Sequence, residues 1–162
     1  MVKCFRLFAG HCLGFWALGL LLFALQEVPY MVMPLFKLDS NPIMTMKESS
    51  AFLEACEKLL GSACVALMIF VVGESADFFS VGSGWQKAGF ILAAAVLLLN
   101  YAGWGIYFSG HQTLFVMLFF IVALPPLFYV FVGLWRKNIL LMSFGAVFGI
   151  VHFLHVYGNL TQ

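Results

Sequence analysis

The sequence predicts an all-α fold, a polytopic transmembrane helical bundle of about five spans, and three observations predict it. Positions 88 to 135, between Lys87 and Arg136, contain no Asp, Glu, Lys or Arg. A hydrocarbon core of ~30 Å is crossed by about 20 apolar residues in a helix. This run is therefore long enough for two crossings. Composition agrees: 64% of the chain is hydrophobic and 9% charged, against roughly 25% charged residues in soluble domains. The Lys and Arg residues are also spread unevenly between the connections, as the positive-inside rule requires of a membrane protein. Residues 1–162 read as a single integral membrane domain.

The first span covers about 7–26. Lys3 and Arg6 form a basic start and the apolar run from Leu7 to Leu25 follows. No small-x-small pattern follows it, so it reads as a retained span and not as a signal peptide. Gly10-x-x-x-Gly14 offers a small-residue face for a neighbouring helix. The outer loop covers about 27–58. Its first part, Val28 to Phe36, is apolar but carries Pro29 and Pro34, which predicts a segment lying along the interface. Thr45-x-x-Glu48 has capping-box spacing. It predicts a helix that starts there and runs through the i,i+4 pair Glu54 and Lys58 into the next span.

The second span lies within 52–79. It either stops at Gly73, leaving Glu74 and Asp77 in a loop, or continues to Phe79 with both acids in the membrane. Val71-Val72-Gly73 favours the earlier end. The third span covers about 88–108, with Asn100 near its middle and Trp104 and Tyr107 on the same face. The turn Ser109-Gly110-His111-Gln112 leads to a fourth span at 114–134. Pro125-Pro126 interrupts this span and frees carbonyls near Ile121 and Val122. Trp135-Arg136-Lys137-Asn138 is the next turn, and the fifth span covers 139–157. Gly145 and Gly149 share a stripe with His152 and His155, which predicts that both histidines point into the bundle.

Orientation follows from the basic residues. With the N-terminus cytoplasmic and the C-terminus outside, Lys3, Arg6, Lys87, Arg136 and Lys137 all face inside. Lys37, Lys47 and Lys58 fall in the outer loop among several acids. The expected location is the cell membrane as a multi-pass protein, specifically a bacterial plasma membrane.

Two constellations carry candidate chemistry. At the outer end, His111, His152, His155 and Glu27 have the donor types of a zinc or iron site. Against this, histidines in a helical bundle also serve as interhelical hydrogen-bonding residues. The second constellation is a substrate or ion path through His11, Glu74, Asp77 and Asn100, since ionisable groups within a membrane mark ion and proton pathways. Asn100 equally suits a hydrogen bond between helices, because an unsatisfied amide in hydrocarbon is costly.

Motifs for phosphate, dinucleotide, zinc-protease and serine-hydrolase chemistry are absent from the sequence. A formal net charge of +1 without a basic cluster excludes an electrostatic case for nucleic acid. Cys4, Cys12, Cys56 and Cys64 form no Cys-x-x-Cys pair and read as small buried hydrophobes. The function expected is non-enzymatic: movement of a small solute or ion, or service as a subunit of a larger membrane complex. The alternative is a membrane metalloenzyme or redox protein with an outward-facing histidine site and a lipid-like substrate. Expected partners are the lipid bilayer and a second copy or a membrane partner subunit.

Overall fold

The computed structural model describes residues 5–7, 10–73 and 79–161. Long helices dominate it, and a small three-stranded sheet closes one end. Strands β1 (Phe5–Arg6), β2 (His11–Leu13) and β3 (Val71–Gly73) pair antiparallel in that order. Helix α1 spans Ala17–Val32 and passes into a 3-10 turn at Met33–Leu35; α2 is the short Pro42–Thr45 and α3 spans Ala51–Phe70. Helix α4 spans Gly84–Phe108, a π-helical stretch Val116–Ala123 leads into α5 (Leu124–Arg136), and α6 spans Ile139–Leu160.

Four helical segments are long and apolar enough to cross a bilayer: Ala17–Leu35, Gly84–Phe108, Val116–Arg136 and Ile139–Leu160. Helix α3 is as long, but Glu54, Glu57 and Lys58 occupy its first half. Large apolar side chains cover the outside of the bundle; Leu35, Trp85, Phe52 and Leu98 are each more than 70% exposed. Such an apolar exterior is tolerated in lipid and not in water. Helix α5 is the central element, packed on α3, α4 and α6.

The start of the chain differs from the predicted first span. His11 lies on β2, buried at 5% exposure, and not one turn into a helix. Gly10 turns the hairpin with φ +73°, so it presents no helix face. Leu7 N–H bonds the His11 carbonyl at 2.8 Å, and β2 pairs with β3, so these backbone groups find partners without a helix. Cys12 is disulfide-bonded, whereas Cys56 and Cys64 are free thiols.

Pro29 does not end α1. A proline removes only the bond to the carbonyl four residues earlier. That carbonyl, Leu25 O, accepts the Tyr101 hydroxyl at 2.5 Å, and the helix continues. The expected capping box does not form either. Asn41 caps α2 through Met44 N–H at 3.3 Å, Met46 is extended, and Ser50 caps α3 through Leu53 N–H. The Glu48 carboxylate is drawn away to His155. The Glu54–Lys58 pair does form, at 2.5 Å. Helix α3 ends at Phe70, ahead of the strand that includes Gly73. Glu74 and Asp77 lie outside the described residues. The later helices follow the predicted spans closely, and Ser83 with Gln86 adds a capping box at the start of α4.

The sheet end is pinned by polar groups from several elements. The Asn138 amide donates to the Leu67 and Val71 carbonyls at 3.2 and 3.1 Å. Trp135 Nε1 donates to Ser80 O, and Gln86 Nε2 donates to Trp135 O. The Arg136 guanidinium lies 4.5 Å from the Trp16 ring centre, a cation–π arrangement. At the opposite end Tyr107 Oη donates to Asn41 Oδ1 at 2.7 Å, and Ser40 bonds Gln112 at 2.6 Å.

Glycine sets the helix spacing. A Cβ on Gly89 would lie 2.5 Å from Trp135 N, a backbone atom that cannot rotate away. Gly105 faces open space. Gly89→Ala is therefore expected to cost about 1–3 kcal/mol through overpacking, while Gly105→Ala is neutral. Denaturant titration of both variants in detergent micelles checks this; equal stability would show that α4 and α5 are not in close contact.

Candidate functional site

The site lies at the end of the bundle away from the sheet, where α1, α3, α5 and α6 converge. Helix α6 brings His152 and His155 inward because Gly145 and Gly149 let it approach α5. A Cβ on Gly145 would sit 3.2 Å from Val130 N, and one on Gly149 would sit 3.2 Å from the Pro126 Cβ. The bundle-facing orientation predicted for the histidines is the observed one.

His155 is the junction. Its Nε2 lies 2.7 Å from Glu48 Oε1, and its Nδ1 hydrogen-bonds Glu57 Oε2. The second Glu57 oxygen, Oε1, is 3.2 Å from His152 Nδ1, at an angle outside hydrogen-bond geometry. His152 is held by stacking on Phe148, with ring centres 5.2 Å apart. Asn159 Nδ2 packs 3.1 Å from His155 Nε2, and Asn159 Oδ1 accepts Ser49 N–H at 2.8 Å. This bond fixes the loop that carries Glu48. Ser50 N–H donates to Glu48 Oε1 at 3.0 Å.

The four groups form a line in the order Glu48, His155, Glu57, His152, with His155 its most buried member. The Glu48 side chain is 40% exposed, Glu57 24%, His152 14% and His155 5%. A neutral imidazole has one N–H, and a carboxylate can only accept. Two ring nitrogens that both face carboxylate oxygens therefore require a proton between each pair. The trio Glu48, His155 and Glu57 consequently stores one proton more than a neutral imidazole with two carboxylates.

Beyond Glu57 and His152 lies a cavity of about 260 Å³. Its polar lining comes from Gln26, Glu27, Tyr30, Glu57, Tyr129 and His152, and Pro125 forms part of its wall. Gln26 is 3% exposed, and its Oε1 has no hydrogen-bond partner. Tyr30 Oη donates to Ile121 O at 3.4 Å.

Of the residues proposed from sequence, the fold brings Glu27 and His152 to one cavity and His155 next to it. His111 is exposed on the 109–113 turn, where its Nδ1 meets Ser109 Oγ at 3.0 Å. Among the described residues, no group of three or more His, Cys, Asp or Glu side chains is arranged to hold a metal ion. Asn100 is buried between α4 and the π-helical stretch, and its amide donates to Phe120 O at 2.7 Å. It does not line the cavity. His11 lies at the sheet end, far along the bundle from His155.

Glu48, Glu57, Gln26 and Asn159 were missed. For Glu57 a signal existed: Glu54 and Lys58 pair with each other, which leaves Glu57 as the unmatched acid of an apolar helix. For Glu48 the capping-box spacing suggested a local role that a distant histidine displaced.

Comparison with known protein families, curated proteins and solved structures finds no match to this chain.

The hydrogen bond to His155 is the largest influence on Glu48 and holds its carboxyl below the usual carboxylate range. A depressed carboxylate adds stability above its unfolded pKa, about 4.3 for Glu. That contribution fades as pH falls through the lower folded value. Wild-type protein is thus expected to lose more stability than Glu48→Gln when acidified from pH 6 to pH 3. Replacing His155 by Ala leaves Glu57 without its partner and is expected to cost about 3 kcal/mol, whereas His111→Ala costs nothing measurable. Melting curves of the four proteins across pH test both statements; indistinguishable curves would refute the network.

Proposed function

We propose that this chain is a five-helix integral membrane protein that moves a small solute or ion across the bilayer in exchange for protons. The observation that carries this reading is the line Glu48–His155–Glu57–His152, which joins the exposed end of the bundle to the cavity. Ionisable groups within a membrane span are costly and mark ion or proton paths. Here Glu48, His155 and Glu57 are hydrogen-bonded in succession, and Glu57 Oε1 comes within 3.2 Å of His152 Nδ1, so a small turn of the imidazole completes the path.

Glu48, at the exposed edge, takes a proton from water. His155 accepts it at Nε2 and releases the other at Nδ1, which an imidazole does without rotating. Glu57 carries it to His152 in the cavity. At a rise of 1.5 Å per residue, His152 lies about 12 Å below the end of α6 and His155 about 8 Å. The relay therefore covers the outer part of the hydrocarbon core. The groups facing it are Glu27, Tyr30 and Tyr129 across the cavity; among the described residues no Lys or Arg lines it.

Pro125 adds to this reading. It forms part of the cavity wall, next to a π-helical segment. Broken helices at the level of a buried cavity are the usual construction of solute sites in membrane transporters. The basic residues Arg6, Lys87, Arg136 and Lys137 belong to the sheet end or its connections, which favours a cytoplasmic sheet end. The relay would then open to the outside.

The test uses proteoliposomes loaded with a pH-sensitive dye and given a pH gradient. Small ammonium ions, sugars and carboxylates are added in turn. At least one class is expected to collapse the gradient faster than in empty vesicles. Glu57→Gln is expected to slow this at least tenfold, on the order of other relay losses, and Lys58→Gln to leave it unchanged. No class above the empty-vesicle rate, or full activity in Glu57→Gln, would overturn the proposal.

A further inference from the structure

The cavity's lining carries two carboxylates, Glu27 and Glu57, and no ammonium or guanidinium among the described residues; its neutral polar groups are Gln26, Tyr30, Tyr129 and His152. Glu27 has no ion-pair or hydrogen-bond partner among the described residues, and it projects into the cavity from α1. Gln26 contributes a second acceptor, its unpartnered and buried Oε1. The Tyr30 hydroxyl is already committed to Ile121 O. Among the described residues no Lys or Arg lines the space; four aromatic side chains, Phe23, Tyr30, Tyr129 and Phe148, share the rest of the wall with Gly61, Val65 and Pro125.

A carboxylate and a buried amide oxygen left without partners are costly in an apolar surrounding. A bound cation would satisfy both. A bare metal ion needs several oxygen ligands at close range, and a cavity of about 260 Å³ is too large to supply them by itself. Aromatic walls instead favour a cation that carries its charge on an alkylated nitrogen, since ring faces attract ammonium groups and contact methyl groups equally well. We infer that the cavity between α1, α3, α5 and α6 binds a small organic ammonium ion, with Glu27 as its counter-ion, Gln26 Oε1 as acceptor and the aromatic rings as its cage.

This inference names the substrate class of the transport proposed above. It rests on that reading for the movement of the cation but not for its binding. Glu57 connects the two: it faces the cavity with one edge and His155 with the other. A proton arriving at Glu57 lowers the negative charge around the ammonium and promotes its release.

The experiment is calorimetric titration of the full chain in lipid nanodiscs with three probes. These are choline, its neutral carbon isostere 3,3-dimethyl-1-butanol, and potassium chloride. Choline is expected to bind and the isostere and potassium to give no heat. Glu27→Gln and Phe23→Leu are each expected to weaken choline by about tenfold, with Lys58→Gln binding like wild type. Equal binding of choline and its isostere, potassium binding in place of choline, or no choline binding would each overturn the inference. The comparison of probes on wild-type protein decides the matter even where a variant fails to fold. Choline binding without proton exchange in vesicles would sink the transport reading alone. Proton exchange driven by sugars or carboxylates, with choline silent, would sink the cation site alone.

Discussion

A backbone carbonyl shut away from water must find a donor within the protein, and the break at Pro125-Pro126 is where this chain answers that demand. Two successive prolines leave the carbonyls one turn earlier without their usual N–H partners. The preceding helix widens to a π-helical stretch, Val116–Ala123. Asn100 from α4 then donates to Phe120 O, and Tyr30 from α1 donates to Ile121 O. The break thus ties α1 and α4 to the central helix. Tyr101 does the same for Pro29 at Leu25 O. Pro29 and Pro125 each convert a lost local bond into a tertiary one.

The cavity follows from this repair. Tyr30 is fixed against the broken segment, so Gln26 and Glu27, one turn earlier on α1, face Pro125 across an open space. Helix α6 closes another side because Gly145 and Gly149 admit it to α5. That same approach turns His152 and His155 toward α3, where Glu57 waits. The Glu48–His155–Glu57–His152 line and the cavity are therefore two consequences of one packing arrangement. The sheet end is held separately, by Asn138, Trp135 and Arg136, and it keeps the helix ends in register without contributing to the site.

Much of the fold was legible because lipid imposes simple rules. The uncharged run, the turn at Ser109–Gln112 and the basic turn at Arg136 and Lys137 place α4, α5 and α6 almost residue by residue. The start of the chain was not legible. Leu7 to Leu25 is apolar but for His11, and hydropathy cannot separate a hairpin from a helix; strand pairing with Val71–Gly73 decided it. The outer loop failed for a related reason. Thr45 and Glu48 have the spacing of a local cap, but His155 Nε2, at 2.7 Å, lies closer to Glu48 Oε1 than its local partner Ser50 N–H at 3.0 Å.

What the sequence by itself determined is the apolar character of its long helices, their limits to within a few residues, one carbonyl that the proline pair would free, Ile121 O, and the inward turn of His152 and His155. These depend on composition and on spacing within one helix, and both are read along the chain. Which acid meets which histidine was decided by tertiary structure alone. Glu57 and His155 are separated by 98 positions, and Gln26 reaches the same cavity from a third helix. Such partnerships depend on how deeply each helix sits and how far it is rotated. Those are set by glycine contacts and carbonyl repairs between helices, and no periodicity within a single segment records them.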